Sequence, residues 1–122
     1  MRSRLRKLHI DDREYTWTAQ IRAASGPDGR QHRCIRIRVW GAGRTGCALQ
    51  ADLAVRRQPV AADEDAYPYP AAADVRTLIE YGLRAGWKPQ SRGGTFQVTS
   101  AADVALPGFV VTDVAWAGER HR

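Results

Sequence analysis

Residues 14–24 read EYTWTAQIRAA and residues 31–40 read QHRCIRIRVW. In the first stretch Tyr15, Trp17, Ala19, Ile21 and Ala23 fall on one side, and Glu14, Thr16, Thr18, Gln20 and Arg22 on the other. A period of two is the mark of a half-buried strand. In the second, Ile35, Ile37 and Val39 alternate with Cys34, Arg36 and Arg38. The SGPDG stretch at 25–29 is a dense turn signal, so the two strands are expected to form an antiparallel hairpin. Closing the loop over 25–29 pairs Ala24 with Arg30. Ala19 then opposes Ile35, Trp17 opposes Ile37 and Tyr15 opposes Val39, so that apolar residues meet apolar residues.

The pattern extends outward. In GCALQADLAV (46–55), Cys47, Leu49, Ala51, Leu53 and Val55 alternate. The Ala and Leu content would also suit a short helix, but the alternation favours a strand. A loop over 41–45 pairs Trp40 with Gly46, Val39 with Cys47, Ile37 with Leu49 and Ile35 with Ala51. Residues 14–55 are therefore expected to form a three-stranded meander with one apolar face. Residues 56–70 lack periodicity. They hold an acidic connector over 61–66, then Tyr67-Pro68-Tyr69-Pro70, extended because each Tyr precedes a Pro.

A helix is expected over 70–86. Val75, Leu78, Ile79 and Leu83 form one stripe. Pro70 suits the first helical position, and Asp74 complements the helix dipole. Gly86 suits a left-handed cap with Trp87 folding back on the last turn. Pro89 forbids continuation. Within 94–114, Thr95–Thr99 and Gly108–Val114 read as short strands, and 116–122 as a loose tail. The expected fold class is α+β, a four- to five-stranded antiparallel sheet with one long helix on its apolar face. Its expected core is Tyr15, Trp17, Ile21, Ile35, Ile37, Leu49, Leu53, Val75, Leu78, Ile79, Leu83 and Phe96.

Length and composition set bounds. The chain has 122 residues, 43% hydrophobic and 26% charged, which suits one domain over 1–122 that needs neither disulfide nor metal. No window approaches the roughly 18 apolar residues of a membrane span. The basic N-terminus lacks the apolar stretch of a secretory signal. Cys34 and Cys47 read as free thiols in a reducing cytoplasm. His9, His32 and His121 are scattered, without zinc spacing. The formal net charge is +6. It is unevenly placed, with 13 basic and 5 acidic residues in 1–61 and 6 and 8 in 62–122. A positive half suggests an acidic partner.

Four features of the sequence bear on function. Gly41-Ala42-Gly43-Arg44-Thr45-Gly46 matches the spacing of a dinucleotide loop, but the strand before it has one wet face where that fold requires an apolar one. It reads instead as a glycine-rich hairpin loop. The wet face of the meander gathers Arg22, Arg36 and Arg38, with Trp40 at one end and Arg44 on the adjoining loop. These five are the candidate binding residues, since an Arg fork holds phosphate or carboxylate. Sheet-based RNA readers stack bases on mid-sheet aromatics, and those positions here hold Thr, Gln and Arg. The Tyr67–Pro70 strap suits either an extended-peptide reader or a cover for a core edge. Finally, Cys34 is expected on the wet face beside Arg36, an arrangement able to lower a thiol pKa, although a lone thiol is more often inert. Asp11-Asp12 and Asp63-Glu64-Asp65 lack a His or metal partner, so no catalytic residue, cofactor or metal is assigned.

The run Tyr69-Pro70-Ala71, Asp74-Val75-Arg76, Leu78-Ile79, Gly86-Trp87-Lys88-Pro89 and Gly93-Gly94-Thr95-Phe96 resembles the ending of small uncharacterised bacterial proteins, many of them actinobacterial. In these a helix is followed by Gly-Trp-x-Pro and a Gly-rich turn into a strand. The resemblance covers about a third of the chain and implies a bacterial cytoplasmic origin, with no site residue carried over. The function expected is a non-enzymatic module binding an acidic protein partner, of the immunity, antitoxin or adaptor kind. The basic charge fits poorly with an inhibitor of a nuclease, which is usually acidic. The alternative is an Arg-mediated nucleic-acid binder.

Overall fold

The alternating stretches become the two longest strands of a six-stranded sheet. A computed structural model describes residues 5–25, 31–41, 45–55 and 69–113, with backbone alone at 22–25, 31–33 and 55. The elements are β1 (Arg6–Ile10), β2 (Arg13–Ser25), β3 (Gln31–Trp40), β4 (Ala48–Val55), α1 (Ala72–Ala85), β5 (Thr95–Val98) and β6 (Phe109–Val111). β1 to β4 form an antiparallel meander. Residues 46–55 are a strand from Ala48 onward, as the alternation indicates.

β1, RKLHI, lies outside the alternating stretches. Asp11 and Asp12 have φ of 50° and 66°, the two left-handed residues that a tight two-residue hairpin turn needs. They fold Leu8 and Ile10 back against Tyr15 and Arg13. Charged Arg6 and Lys7 on so short an edge strand discourage pairing with another chain.

Both expected registers are two residues off. Ile21 opposes Ile35, Ala19 opposes Ile37 and Trp17 opposes Val39. Next, Ile35 opposes Leu53, Ile37 opposes Ala51 and Val39 opposes Leu49. An even slip leaves every side chain on its face, so hydrophobic matching could not separate the alternatives. The second slip has a visible cause. The Cys47 amide donates to Ser91 O at 2.6 Å, and Gly46 bridges to Arg92. Residues 46–47 therefore pair with the loop after the helix, not with β3.

The sheet is not purely antiparallel. β5 lies parallel to β4, with Ala48 beside Thr95 and Ala51 beside Val98. The helix connects the two strands, and a helical crossover returns the chain to run in the same direction. β6 continues the same edge of β4 antiparallel, with Leu53 opposite Val111.

The helix starts two residues later than expected. Ala71 is its N-cap, and the Ala71 amide donates to Asp74 Oδ2 at 2.9 Å. Pro70 thus lies before the cap, buried, and not at the first helical position. Gly86 caps the other end at φ 109°, with the Trp87 amide on Gly82 O at 2.8 Å. Trp87 is buried, 6.1 Å from the Tyr15 ring, and its Nε1 donates to Cys47 O at 2.9 Å.

Val75, Leu78 and Ile79 are fully buried, but Leu83 is 41% exposed and leaves the expected core. Gly82 explains the difference. A Cβ there would stand 2.3 Å from Leu49 Cδ1, so the last turn presses its bare backbone onto β4. The buried stripe rotates from position 83 to position 82. Ile10, Val39, Trp87, Val98, Leu106 and Phe109 join the core, whereas Ile21 and Phe96 are half-buried at its margin.

Candidate functional site

The face opposite the helix is polar and follows the strand pairing row by row. Across one row lie Thr18 on β2, Arg38 on β3, Gln50 on β4 and Gln97 on β5. Across the next lie Gln20, Arg36 and Asp52. The expected face is therefore present, and it brings Arg36, Arg38 and Trp40 together on one strand. The backbone of Arg22 is opposite Cys34 at the far end. Arg44 lies outside the described residues.

The electrostatics differ from those expected. Arg36 Nε donates to Asp52 Oδ1 at 2.8 Å, and its Nη2 to Oδ2 at 3.4 Å. The two side chains are 19% and 9% exposed. Two parallel N–H bonds to one carboxylate are the strong form of this contact. The register expected from hydrophobic matching puts Asp52 across from Cys34, which hides this pair from the sequence.

Arg38 has no such partner. Its guanidinium lies 5.7 Å from the Trp40 ring centroid, a cation–aromatic contact. Its Nε is buried without a hydrogen-bond acceptor. Gln50, directly opposite, instead donates from Nε2 to Gln97 Oε1 at 2.8 Å. Near the β1 edge, Lys7 and His9 lie 3.7 and 3.5 Å from the Glu14 carboxylate. Arg6 lies on the other face, over the rings of Trp17 and Tyr69. Among the described residues Arg38 is the half-buried cation that forms no ion pair.

Cys34 corrects a further expectation. It is 1% exposed, and burial first, then the Asp52 carboxylate, push its thiol pKa up. Arg36, engaged with Asp52, does not activate it. Cys34 and Cys47 are both free.

The Gly41–Gly46 loop has a packing role at its described end. A Cβ on Gly46 would fall 2.0 Å from Pro89 O, so glycine there admits the chain that follows the helix. A cleft of about 550 Å³ beside it is lined by Asp12, Arg13, Glu14, Tyr15 and Thr45 among others. Two carboxylates against one guanidinium suit a pyrophosphate poorly. Of the strap, Tyr69 is 45% exposed and Pro70 is buried, whereas Tyr67 and Pro68 lie outside the described residues. Among the described residues no three His, Cys, Asp or Glu side chains are grouped to hold a metal, and no helix is long and apolar enough to cross a membrane. Comparison with protein-family models, with curated proteins and with solved structures finds no match to this chain.

Proposed function

We propose that this chain is a small non-enzymatic module that binds an acidic protein partner through the polar face of β2, β3 and β4. The observation that carries this reading is Arg38, a half-buried cation laid on Trp40 with an unpaired buried N–H and no carboxylate opposite. Arg38 is part-exposed and faces no carboxylate, so an acidic ligand would supply the counter-charge that Asp52 supplies to Arg36. The net charge of +6 favours the same class of partner. The two free thiols are compatible with the reducing cytoplasm in which immunity, antitoxin and adaptor proteins act.

The nucleic-acid alternative is less favoured by the same face. Duplex binding draws on many phosphate contacts at once, whereas Arg36 is neutralised here by Asp52 and Lys7 by Glu14. Titration separates the two readings. The ligands are a peptide alternating Glu with Thr and a random-sequence duplex, each measured at about 50 and 200 mM salt. The proposal expects the peptide to bind wild type, to lose most affinity on Arg38→Ala with Trp40→Ala, and to show a shallow salt slope. Tight duplex binding that falls by about a thousandfold or more over that range would establish the alternative instead.

A further inference from the structure

The cleft beside Gly46 has a volume of about 550 Å³, within the range of small-molecule sites. Its floor is buried and its rim is exposed: Tyr15 and Pro89 lie below, and Asp12, Arg13, Thr45 and Gln90 stand around the opening. Tyr15 is 2% exposed, with its ring 6.1 Å from that of Trp87. A buried tyrosine hydroxyl usually finds a hydrogen-bond partner. This one bonds to no described residue, yet it is not sealed from solvent as Arg38 Nε is. The small surface that Tyr15 keeps therefore includes its hydroxyl, and it opens into the cleft that the residue lines. At the rim the fold leaves one charge of each sign without a counter-ion. Neither Asp12 nor Arg13 forms an ion pair among the described residues, whereas Glu14 is shared by Lys7 and His9.

We infer that this cleft binds a small zwitterion, a molecule carrying an ammonium and a carboxylate a few bonds apart, as a free α-amino acid does. Arg13 takes the carboxylate, Asp12 takes the ammonium, and the Tyr15 hydroxyl donates to the ligand from the floor. Pro89 offers an apolar surface to the ligand's side chain. Other small ligands fit less well. A nucleobase wants an open aromatic face to stack on, and the Tyr15 ring is buried against Trp87. A metal ion wants several ligands at once, and no three such side chains are grouped among the described residues. The inference does not rest on the reading of the Arg36–Arg38 face, which involves none of these groups.

The test is titration with each free L-amino acid in turn, followed by the NMR signals of the Gly46 amide and the Arg13 Nε–H. At least one amino acid should shift both, and acetate and methylamine, each with a single charge, should act only at far higher concentration. Tyr15→Phe keeps the ring on Trp87 and removes the hydroxyl alone. It should leave the melting temperature within about 2 °C of wild type and weaken binding about fivefold. Asp12→Asn, which suits the left-handed φ of 66°, and Arg13→Gln should each weaken it at least about tenfold. Arg38→Ala should leave it unchanged, so that failure here and failure of the proposed function are read separately. The inference is overturned if no amino acid shifts either signal, or if acetate or methylamine binds as tightly as the best amino acid. Binding unaffected by both Asp12→Asn and Arg13→Gln would also overturn it. So would a large fall in the melting temperature of Tyr15→Phe, which would give the hydroxyl a partner within the fold.

Discussion

Replacing Arg36 by Ala should destabilise the protein, although it removes a charged residue from the face opposite the helix. Asp52 is only 6% exposed as a residue, and the pair is joined at 2.8 Å. Without Arg36 its carboxylate keeps most of its burial and loses its counter-charge. Removing one partner of a fully buried pair costs about 3–5 kcal/mol. Because 19% of the Arg36 side chain is exposed, solvent screening reduces this to about 2–3 kcal/mol. For a chain of this size that corresponds to a fall in melting temperature of roughly 6–15 °C. Arg38→Ala should do little, within about 0.5 kcal/mol, because it leaves no charge unpaired and removes an unsatisfied donor. The assay is urea unfolding of wild type, Arg36→Ala, Asp52→Asn and the double variant. The two single changes should be non-additive, with a coupling of at least about 1 kcal/mol. Equal small effects of Arg36→Ala and Arg38→Ala would refute the argument and return both residues to a freely solvated surface.

The core makes further predictions. Leu78→Ala or Ile79→Ala, both at fully buried positions, should each cost about 2–5 kcal/mol in denaturant unfolding. Arg76→Ala, at an exposed side chain paired with Glu80, should cost under about 0.5 kcal/mol. Gly82→Ala should destabilise by about 1–3 kcal/mol despite the better helix propensity of Ala, because its Cβ meets Leu49 Cδ1 at 2.3 Å; a gain in stability would mean that the helix sits further from β4. Cys34 should resist a thiol reagent in the native protein and react on unfolding without reductant. With its thiol pKa raised by burial, the folded state holds the proton longer than the unfolded chain. Stability should therefore be flat with respect to this group below the usual thiol range and fall as pH rises through it, a trend that Cys34→Ser should remove.

Local patterns reveal much of this architecture. Two-residue alternation marks β2, β3 and β4, and the run from Asp74 to Gly86 marks the helix and its cap. What escaped depends on contacts between distant segments. β1 is a strand because Asp11 and Asp12 turn it onto β2, and its five residues carry too few apolar positions to stand out. The parallel course of β5 follows from the crossover helix rather than from anything in Thr95–Val98. The exposure of Leu83 follows from the absence of a side chain at Gly82, which decides how closely the helix sits. Gly46 belongs to the same class. Its spacing resembles a phosphate loop, yet its need for glycine comes from Pro89, more than forty residues later.

The two-residue register slip shows why fold and site differ in legibility. A slip of two leaves every side chain on its face, so it changes neither the apolar layer nor the placement of Arg36, Arg38 and Trp40 on the polar face. It does change which residues meet. In the register expected from hydrophobic matching, Arg36 would oppose Gln50 and Asp52 would oppose Cys34, leaving both arginines unpaired. In the observed register Asp52 meets Arg36 and Gln50 meets Arg38, so one arginine is neutralised across the strand pair and the other faces an uncharged amide. The apolar face cannot choose between these registers, because Ile35, Ile37 and Val39 meet apolar partners in either. The choice is made at the end of the strand, where Cys47 and Gly46 are drawn to Ser91 and Arg92. The loop after the helix thereby determines which cation on the opposite face meets a carboxylate and which meets an amide.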